Sequence, residues 1–317
     1  MTDLNVPAWV VDAAQCAMAP GVKPLDLAWV ERMVRLTLDE DLGGFPGRDV
    51  TSQATISSSK QVTAHLMARQ DGVIAGLPVV PFAVGQVMER FGLGSDETVS
   101  VTFDVTDGAR VSAGQRLAVI QGSVQAVLIA ERSLLNLASR ASGVATATRV
   151  FADQLQGTNA MVLDTRKTTP GLRELEKYAV RAGGGTNKRM GLYDVAMVKD
   201  NHVVAAGSVS AAIAAVRTSF PDVLVQVEAD TYDQAMEAVA AGARFLLLDN
   251  MSNAEMSRVV TDLRSREAET GKVELEATGT VTVDRAAGIA STGVDYMSVG
   301  ALTHSAPILD LALDFVE

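Results

Sequence analysis

The sequence predicts an α/β protein in two parts, a small α+β unit followed by a parallel sheet covered by helices. Short apolar runs recur at residues 161–163, 195–198, 223–227, 245–248, 273–275 and 296–299, and helical stretches fill the intervals, clearest at 208–219, 231–241 and 253–266. Apolar strands alternating with helices are the signature of βα units, whose strands run parallel because each helix carries the chain back. Before residue 143 the pattern differs, with shorter alternating strands joined by Gly-containing turns. Composition agrees, since aromatics make up only 4% of the chain while Gly and Ala are plentiful, which suits helices packed closely on a sheet. Six strands fall short of the eight of a closed barrel, so the count allows an incomplete barrel or an open sheet.

Residues 1–24 carry Pro7, Pro20 and Pro24 and no sustained period, so they read as a loose leader with at most a short helix around Trp9 to Met18. Leu27, Val30, Val34 and Leu38 then recur at helical spacing, and Gly43-Gly44 ends that helix. Residues 40–52 read as a capped helix end and a polar loop. Alternating apolar residues at 62–68 mark a strand, Asp71-Gly72 a turn and 73–75 a shorter strand. A helix over 78–91 and strands over 99–105 and 110–120 follow, with turns at Asp107-Gly108 and Ala113-Gly114. From Ser123 to Leu155 the composition is helical, with a break expected near Ser142-Gly143. That break places the domain boundary, with a first domain over 25–143 and a second over 144–304.

At 317 residues the chain can bury a core large enough to fold without disulfides. Its single Cys16 cannot form an internal bridge, which points to a reducing compartment. His65, His202 and His304 lie far apart with no zinc-ligand spacing. The net charge of −11 argues against nucleic-acid binding. The start, Met1-Thr-Asp-Leu, lacks the basic segment of a signal peptide and no apolar run approaches a membrane span, so a soluble cytoplasmic protein is expected.

Against that acidic background, residues 164–202 hold eight Lys and Arg against five Asp and Glu, a local balance of +3. Cations concentrated in this way would draw in a small polyanion. Each predicted strand is also followed by polar or glycine residues: Arg166 and Lys167, Lys199 and Asn201, Glu228, Asp249 and Asn250, Glu276 and Thr278, Ser298 and Gly300. A charged residue after one strand is most often the first solvated position of a loop, but six in register describe the mouth of a site at strand carboxyl ends. The loops at Thr278-Gly279 and Ser298–Thr303 offer amides and hydroxyls suited to a phosphate. Glu228 and Asp249 could hold Mg²⁺ jointly with substrate phosphates or bind ribose hydroxyls; the alternative is a salt bridge to the basic cluster.

Several segments in this order carry a resemblance: Asp164–Arg173, Lys177–Val180, Gly183–Asp194, Lys199–His202, Leu248–Asn250, Gly293–Asp295 and Val299–His304. Together they resemble the quinolinate phosphoribosyltransferases, from about Glu40 to the C-terminus. The resemblance implies an N-terminal α/β sandwich, rejoined by a C-terminal helix over 305–317, and an incomplete α/β barrel of seven strands. It also implies a homodimer, Mg²⁺, and the substrates quinolinate and 5-phosphoribosyl 1-diphosphate, giving nicotinate mononucleotide, pyrophosphate and CO₂ in NAD synthesis. By the same resemblance Arg132 reaches quinolinate from the neighbouring subunit, with Arg166, Arg189 and Lys199 on its carboxylates. Lys167 contacts the donor and pyrophosphate, Glu228 and Asp249 the ribose and Mg²⁺, and Thr278, Gly279, Ser298 and Gly300 the 5-phosphate.

Guanidinium forks match planar carboxylates and ammonium groups act as point charges, so the residue types suit an aromatic dicarboxylate independently. One position departs from the family, which usually carries His where Asn187-Lys188-Arg189 has Lys188. Lys keeps positive charge in the substrate pocket but lacks the flat ring. Two other readings stay open on the residues alone. One is a barrel enzyme in which Lys199 forms a Schiff base; the other is a paralogue that takes a different aromatic acid or binds the phosphoribosyl donor without catalysis.

Overall fold

The structure is a computed structural model that describes residues 4–94 and 99–316. Twelve strands are found among them: β1 (Gln61–Ala68), β2 (Gly72–Val73), β3 (Ser100–Phe103), β4 (Arg110–Val111), β5 (Arg116–Ser123), β6 (Met161–Leu163), β7 (Val195–Val198), β8 (Leu224–Ala229), β9 (Phe245–Asp249), β10 (Glu274–Thr278), β11 (Tyr296–Ser298) and β12 (Leu311–Val316). The chain divides into two compact units. The first takes in the chain up to Ala147, Pro170–Gly183 and the segment from Ala306; the second takes in Thr148–Thr169 and Gly184–Ser305.

In the first unit an antiparallel sheet runs in the order β12-β1-β5-β3. Ala64, Leu66 and Ala68 of β1 are fully buried, the period of two that the sequence displayed. The short helix allowed for around Trp9 to Met18 forms, but the segment is packed rather than loose. Ala8–Ala17 is a helix whose Val10, Ala14 and Ala17 make a fully buried stripe against the helix Val79–Phe91. The two approach so closely that a Cβ on Gly85 would lie 2.7 Å from Val10 Cγ2.

A buried carboxylate holds the end of this leader. The Asp107 amide donates to Ala17 O at 2.8 Å, and its carboxylate accepts from Gly76 N (3.0 Å), Leu77 N (3.1 Å) and the Tyr178 hydroxyl (2.8 Å). Tyr178 in turn accepts from Ala19 N at 3.0 Å. Burial pushes the Asp107 carboxyl up to about 7, and the Tyr178 and amide donors oppose that rise.

Two further expectations are corrected in this unit. The helix Val124–Gln154 runs for 31 residues without a break at Gly143. Gly143 serves close packing instead, because a Cβ there would lie 2.0 Å from Pro307 O. The C-terminal segment is not a helix: Leu311–Val316 pairs antiparallel with β1, Ala68 opposite Leu311 and Thr63 opposite Val316. The edge of β1 offers backbone groups that a strand can satisfy and a helix cannot.

The second unit holds a six-stranded parallel sheet in the order β6-β11-β10-β9-β8-β7. A single parallel bridge from Leu163 to Thr186, with Thr186 N donating to Val162 O at 2.8 Å, occupies the position beyond β6. The seventh strand implied by the resemblance is thus reduced to one bridging residue. Phe245–Leu248 of β9 are all buried, as expected for a strand covered on both faces. Thr231-Gln234 and Ser252-Glu255 close capping boxes at the starts of Tyr232–Ala240 and Asn253–Ser265, soon after β8 and β9. These caps stop each loop early and leave the strand carboxyl ends clear. Among the described residues no helix is long and apolar enough to cross a membrane.

Candidate active site at the strand ends

The carboxyl ends of the parallel strands surround a cavity of about 540 Å³ in the second unit. Register explains why side chains from different strands meet there. Glu228 and Glu276 both sit opposite Leu247, and Thr278 sits opposite Asp249, so equivalent side chains rise to similar levels on neighbouring strands. Arg166, Lys167, Lys188, Arg189, Lys199, Glu228, Asp249, Thr278, Gly279, Ser298 and Gly300 all line this cavity. Arg132 lies on the first unit, where it lines a separate depression with Asp41, Arg48 and Asp49 and pairs with Glu131 at 3.0 Å.

The cations come from the loop after β6, the loop before β7 and the loop after β7. Thr303 Oγ1 donates to Lys167 O at 2.9 Å, tying the first loop to the residues after β11. Fully buried Asp164 accepts from Asn187 Nδ2 (2.6 Å) and Lys188 N (2.9 Å), which pins the loop that presents Lys188 and Arg189. Arg189 Nη1 donates to Val195 O at 2.9 Å. Burial and then repulsion from the Arg166 guanidinium hold Arg189 below its usual range, with Asp194 opposing. Two guanidinium groups crowded in this way form a ready receptor for a dianion.

Lys188 does more than add positive charge. Its side chain is 8% exposed, and its Nζ donates to Glu276 Oε1 at 2.5 Å and to Ser298 Oγ at 3.5 Å. The Ser298 hydroxyl donates to the same Glu276 oxygen. Glu276 is fully buried, and its Oε2 has no hydrogen-bond partner among the described residues. Burial pushes the Glu276 carboxyl up, with Lys188 opposing first. Lys188 and Glu276 therefore form an ion pair beneath Ser298, and the pair brings little net charge to the cavity.

Also in the cavity lining, Lys199 Nζ pairs with Glu228 Oε2, and the Lys199 amide donates to His202 Nδ1 at 3.0 Å. Burial raises the Asp230 carboxyl, and the neighbouring Asp200, Asp249 and Glu228 add to the rise. No group of three or more His, Cys, Asp or Glu among the described residues is placed to hold a metal ion. Any Mg²⁺ held by Glu228 and Asp249 would need its remaining ligands from phosphate oxygens or water.

The glycines of the last loops have little freedom to change. A Cβ on Gly279 (φ +105°) would fall 2.2 Å from Asn250 Oδ1, and one on Gly300 would fall 3.2 Å from His304 Nε2. Sequence reading overlooked Met197 and Leu247, which also line the cavity. Each lies two residues before a candidate, Lys199 and Asp249, so the alternation of strand side chains was the available signal. Glu276 had been seen only as a strand-end residue. A carboxylate between buried Leu275 and Ala277 signals a need for a buried cation.

Comparison with known proteins adds the family context. Residues 49–142 match the quinolinate phosphoribosyl transferase N-terminal domain, and residues 144–314 match the C-terminal domain. The chain is 44% identical over 281 residues to the nicotinate-nucleotide pyrophosphorylase [carboxylating] of Mycobacterium leprae, covering 89% of this chain and 95% of that one. It is 39% identical over 276 residues to the probable enzyme of that name from Bacillus subtilis, covering 87% and 89%. The solved nicotinate-nucleotide pyrophosphorylase from Francisella tularensis superimposes with a TM-score of 0.81 at 34% identity, over 92% of this chain and 97% of that one.

Proposed function

The chain belongs to the quinolinate phosphoribosyltransferase family, and from that premise we propose that it transfers the phosphoribosyl group of 5-phosphoribosyl 1-diphosphate to quinolinate. CO₂ is lost, and nicotinate mononucleotide and pyrophosphate are formed for NAD synthesis. The observation that carries this is one cavity lined together by the guanidinium groups of Arg166 and Arg189, the carboxylates of Glu228 and Asp249, and Gly, Ser and Thr residues after its last strands. Those three features correspond to a dicarboxylate acceptor, a ribose and a phosphate.

In this reading Arg166 and Arg189 hold the two quinolinate carboxylates and aim the ring nitrogen at C1 of the ribose. The Gly279 and Gly300 loops, with Thr278 and Ser298, anchor the 5-phosphate. Lys167 and Lys199 balance charge on the departing pyrophosphate and the acceptor. The nitrogen forms a bond to C1 as the C1–O bond breaks with its electron pair leaving on pyrophosphate, and Glu228 and Asp249 stabilise positive charge at C1. The ring nitrogen made cationic in this way stabilises the electron pair left on the adjacent ring carbon as the carbon–carboxylate bond breaks and CO₂ departs, and that carbon then takes a proton with the pair. Mg²⁺, held by Glu228, Asp249 and diphosphate oxygens, would add neutralising charge on the pyrophosphate.

Pyrophosphate release from the donor with Mg²⁺ is expected with quinolinate, accompanied by CO₂ and nicotinate mononucleotide, and not with nicotinate or without acid. Release with nicotinate alone would reassign the acceptor. Donor binding without release with any acid would favour a non-catalytic phosphoribosyl-binding protein.

We further propose a homodimer in which Arg132 serves the partner's cavity, because its side chain is 67% exposed and contacts only a neighbouring carboxylate among the bonds described for it. Arg132→Ala and Lys199→Ala are each expected to be inactive, and mixing them under chain exchange is expected to restore activity. Mixed dimers verified by mass but without activity would exclude the shared site. A cytoplasmic location accords with the single exposed Cys16.

A further inference from the structure

Asn250 is the only residue other than glycine with a positive φ among those described, at +53°. Left-handed backbone costs most L-residues roughly 1–2 kcal/mol; Asn meets it with local side-chain hydrogen bonds, and glycine adopts it freely. A side chain kept at such a position points to work for that side chain. Here it makes two bonds in opposite directions. Nδ2 donates to Asp249 Oδ2 at 2.9 Å, and Oδ1 accepts from Thr280 N at 3.2 Å. The Asn250 amide adds a third tie, donating to Thr278 O at 3.1 Å. One residue therefore joins the acid at the end of β9 to the turn after β10. A Cβ on Gly279 would fall 2.2 Å from Asn250 Oδ1, so the turn is built against this amide.

We propose that Asn250 is a positioning residue that sets the spacing between the ribose-facing carboxylate of Asp249 and the phosphate-facing turn at Gly279-Thr280. This rests on the phosphoribosyl reading of the cavity. Asp249 and the turn face different ends of a ribose 5-phosphate, so a latch between them matches the site to that length. The acceptor's guanidinium groups come from the loops after β6 and before β7 and share no bond with Asn250.

Ribose 5-phosphate binding by calorimetry, with quinolinate as the comparison ligand, separates the alternatives on the full chain. Asn250→Gly keeps the backbone conformation and removes both side-chain bonds. It is expected to raise the Kd for ribose 5-phosphate and the KM for the donor about tenfold, the effect of two hydrogen bonds of modest net strength. The KM for quinolinate and the Tm are expected to stay near wild type. Ribose 5-phosphate binding unchanged in Asn250→Gly would show that the position serves its backbone only and overturn the proposal. Equal weakening of both ligands together with a lower Tm would make Asn250 merely structural and overturn it as well. If wild-type protein neither binds ribose 5-phosphate nor releases pyrophosphate, the phosphoribosyl reading itself falls. A wild type that does both beside an unaffected Asn250→Gly removes the latch alone.

Discussion

Lys188→Met is expected to lower the stability of the folded chain by about 3–5 kcal/mol, the usual cost of removing one partner of a buried ion pair. Both partners are well buried: the Lys188 side chain is 8% exposed and Glu276 not at all. The variant leaves a carboxylate in a site where one oxygen already lacks a partner. Ser298 would then be the hydrogen-bond partner left to it among the described residues, with Lys199 adding a smaller positive field. Denaturant unfolding at pH 8 measures the loss, and a change below 1 kcal/mol would mean that solvent reaches Glu276.

The loss also has a defined pH dependence. Burial raises the Glu276 carboxyl above its ordinary 4.5, and Lys188 restrains that rise. Without Lys188 the folded-state value climbs further above the unfolded one. A group raised in this way favours the folded state below its unfolded value, and that advantage is lost as pH rises through the folded value. The gap between variant and wild type is therefore expected to be smaller near pH 4.5 than at pH 8. A double variant, Lys188→Met with Glu276→Leu, is expected to recover much of the stability because it buries no unpaired charge. Recovery of folding without recovery of turnover would separate the pair's structural part from its hold on Ser298.

Arg189→Ala is expected to lower kcat/KM for quinolinate by roughly 30-fold to several thousand-fold, corresponding to the 2–5 kcal/mol cost of leaving a desolvated charge unmatched. Arg189 is crowded by Arg166 and partly buried, so the two cations repel each other until a dianion lies between them. Removing one leaves an acceptor carboxylate with no guanidinium fork. Arg189→Lys is expected to recover only part of the activity, because a point charge does not reproduce two parallel hydrogen bonds. Arg166→Ala should behave alike. Near-normal kcat/KM in either alanine variant would remove that residue from the acceptor pocket. A fall confined to stability, with kinetics intact in the folded fraction, would reduce Arg189 to its bond with Val195 O.

Much of the architecture was legible locally. The six apolar runs became the six parallel strands, Gly43 ended the helix Leu27–Leu42 in left-handed geometry, and every strand delivers at least one of its following residues to one cavity, Asn201 and buried Glu276 excepted. Period, caps and turn residues are properties of a few neighbouring positions, so a single chain displays them. The motif order carried the family for the same reason, since each motif is a short stretch of loop at a strand end.

Elsewhere pairing partners distant in the chain decided the outcome. The short helix near Trp9 to Met18 was allowed for but its packing was not, because only the face of Val79–Phe91 made its stripe of Val10, Ala14 and Ala17 worth burying. Gly143 read as a break because local preference cannot anticipate Pro307 packing on it. Residues 311–316 became a strand because β1 had an edge to fill. Lys188 read as one more cation in the substrate pocket until strand register brought Glu276, 88 residues away, against its ammonium. Backbone preference and hydrophobic period are written along the chain, whereas desolvation and charge pairing exist only once folding has excluded water and set the register of neighbouring strands.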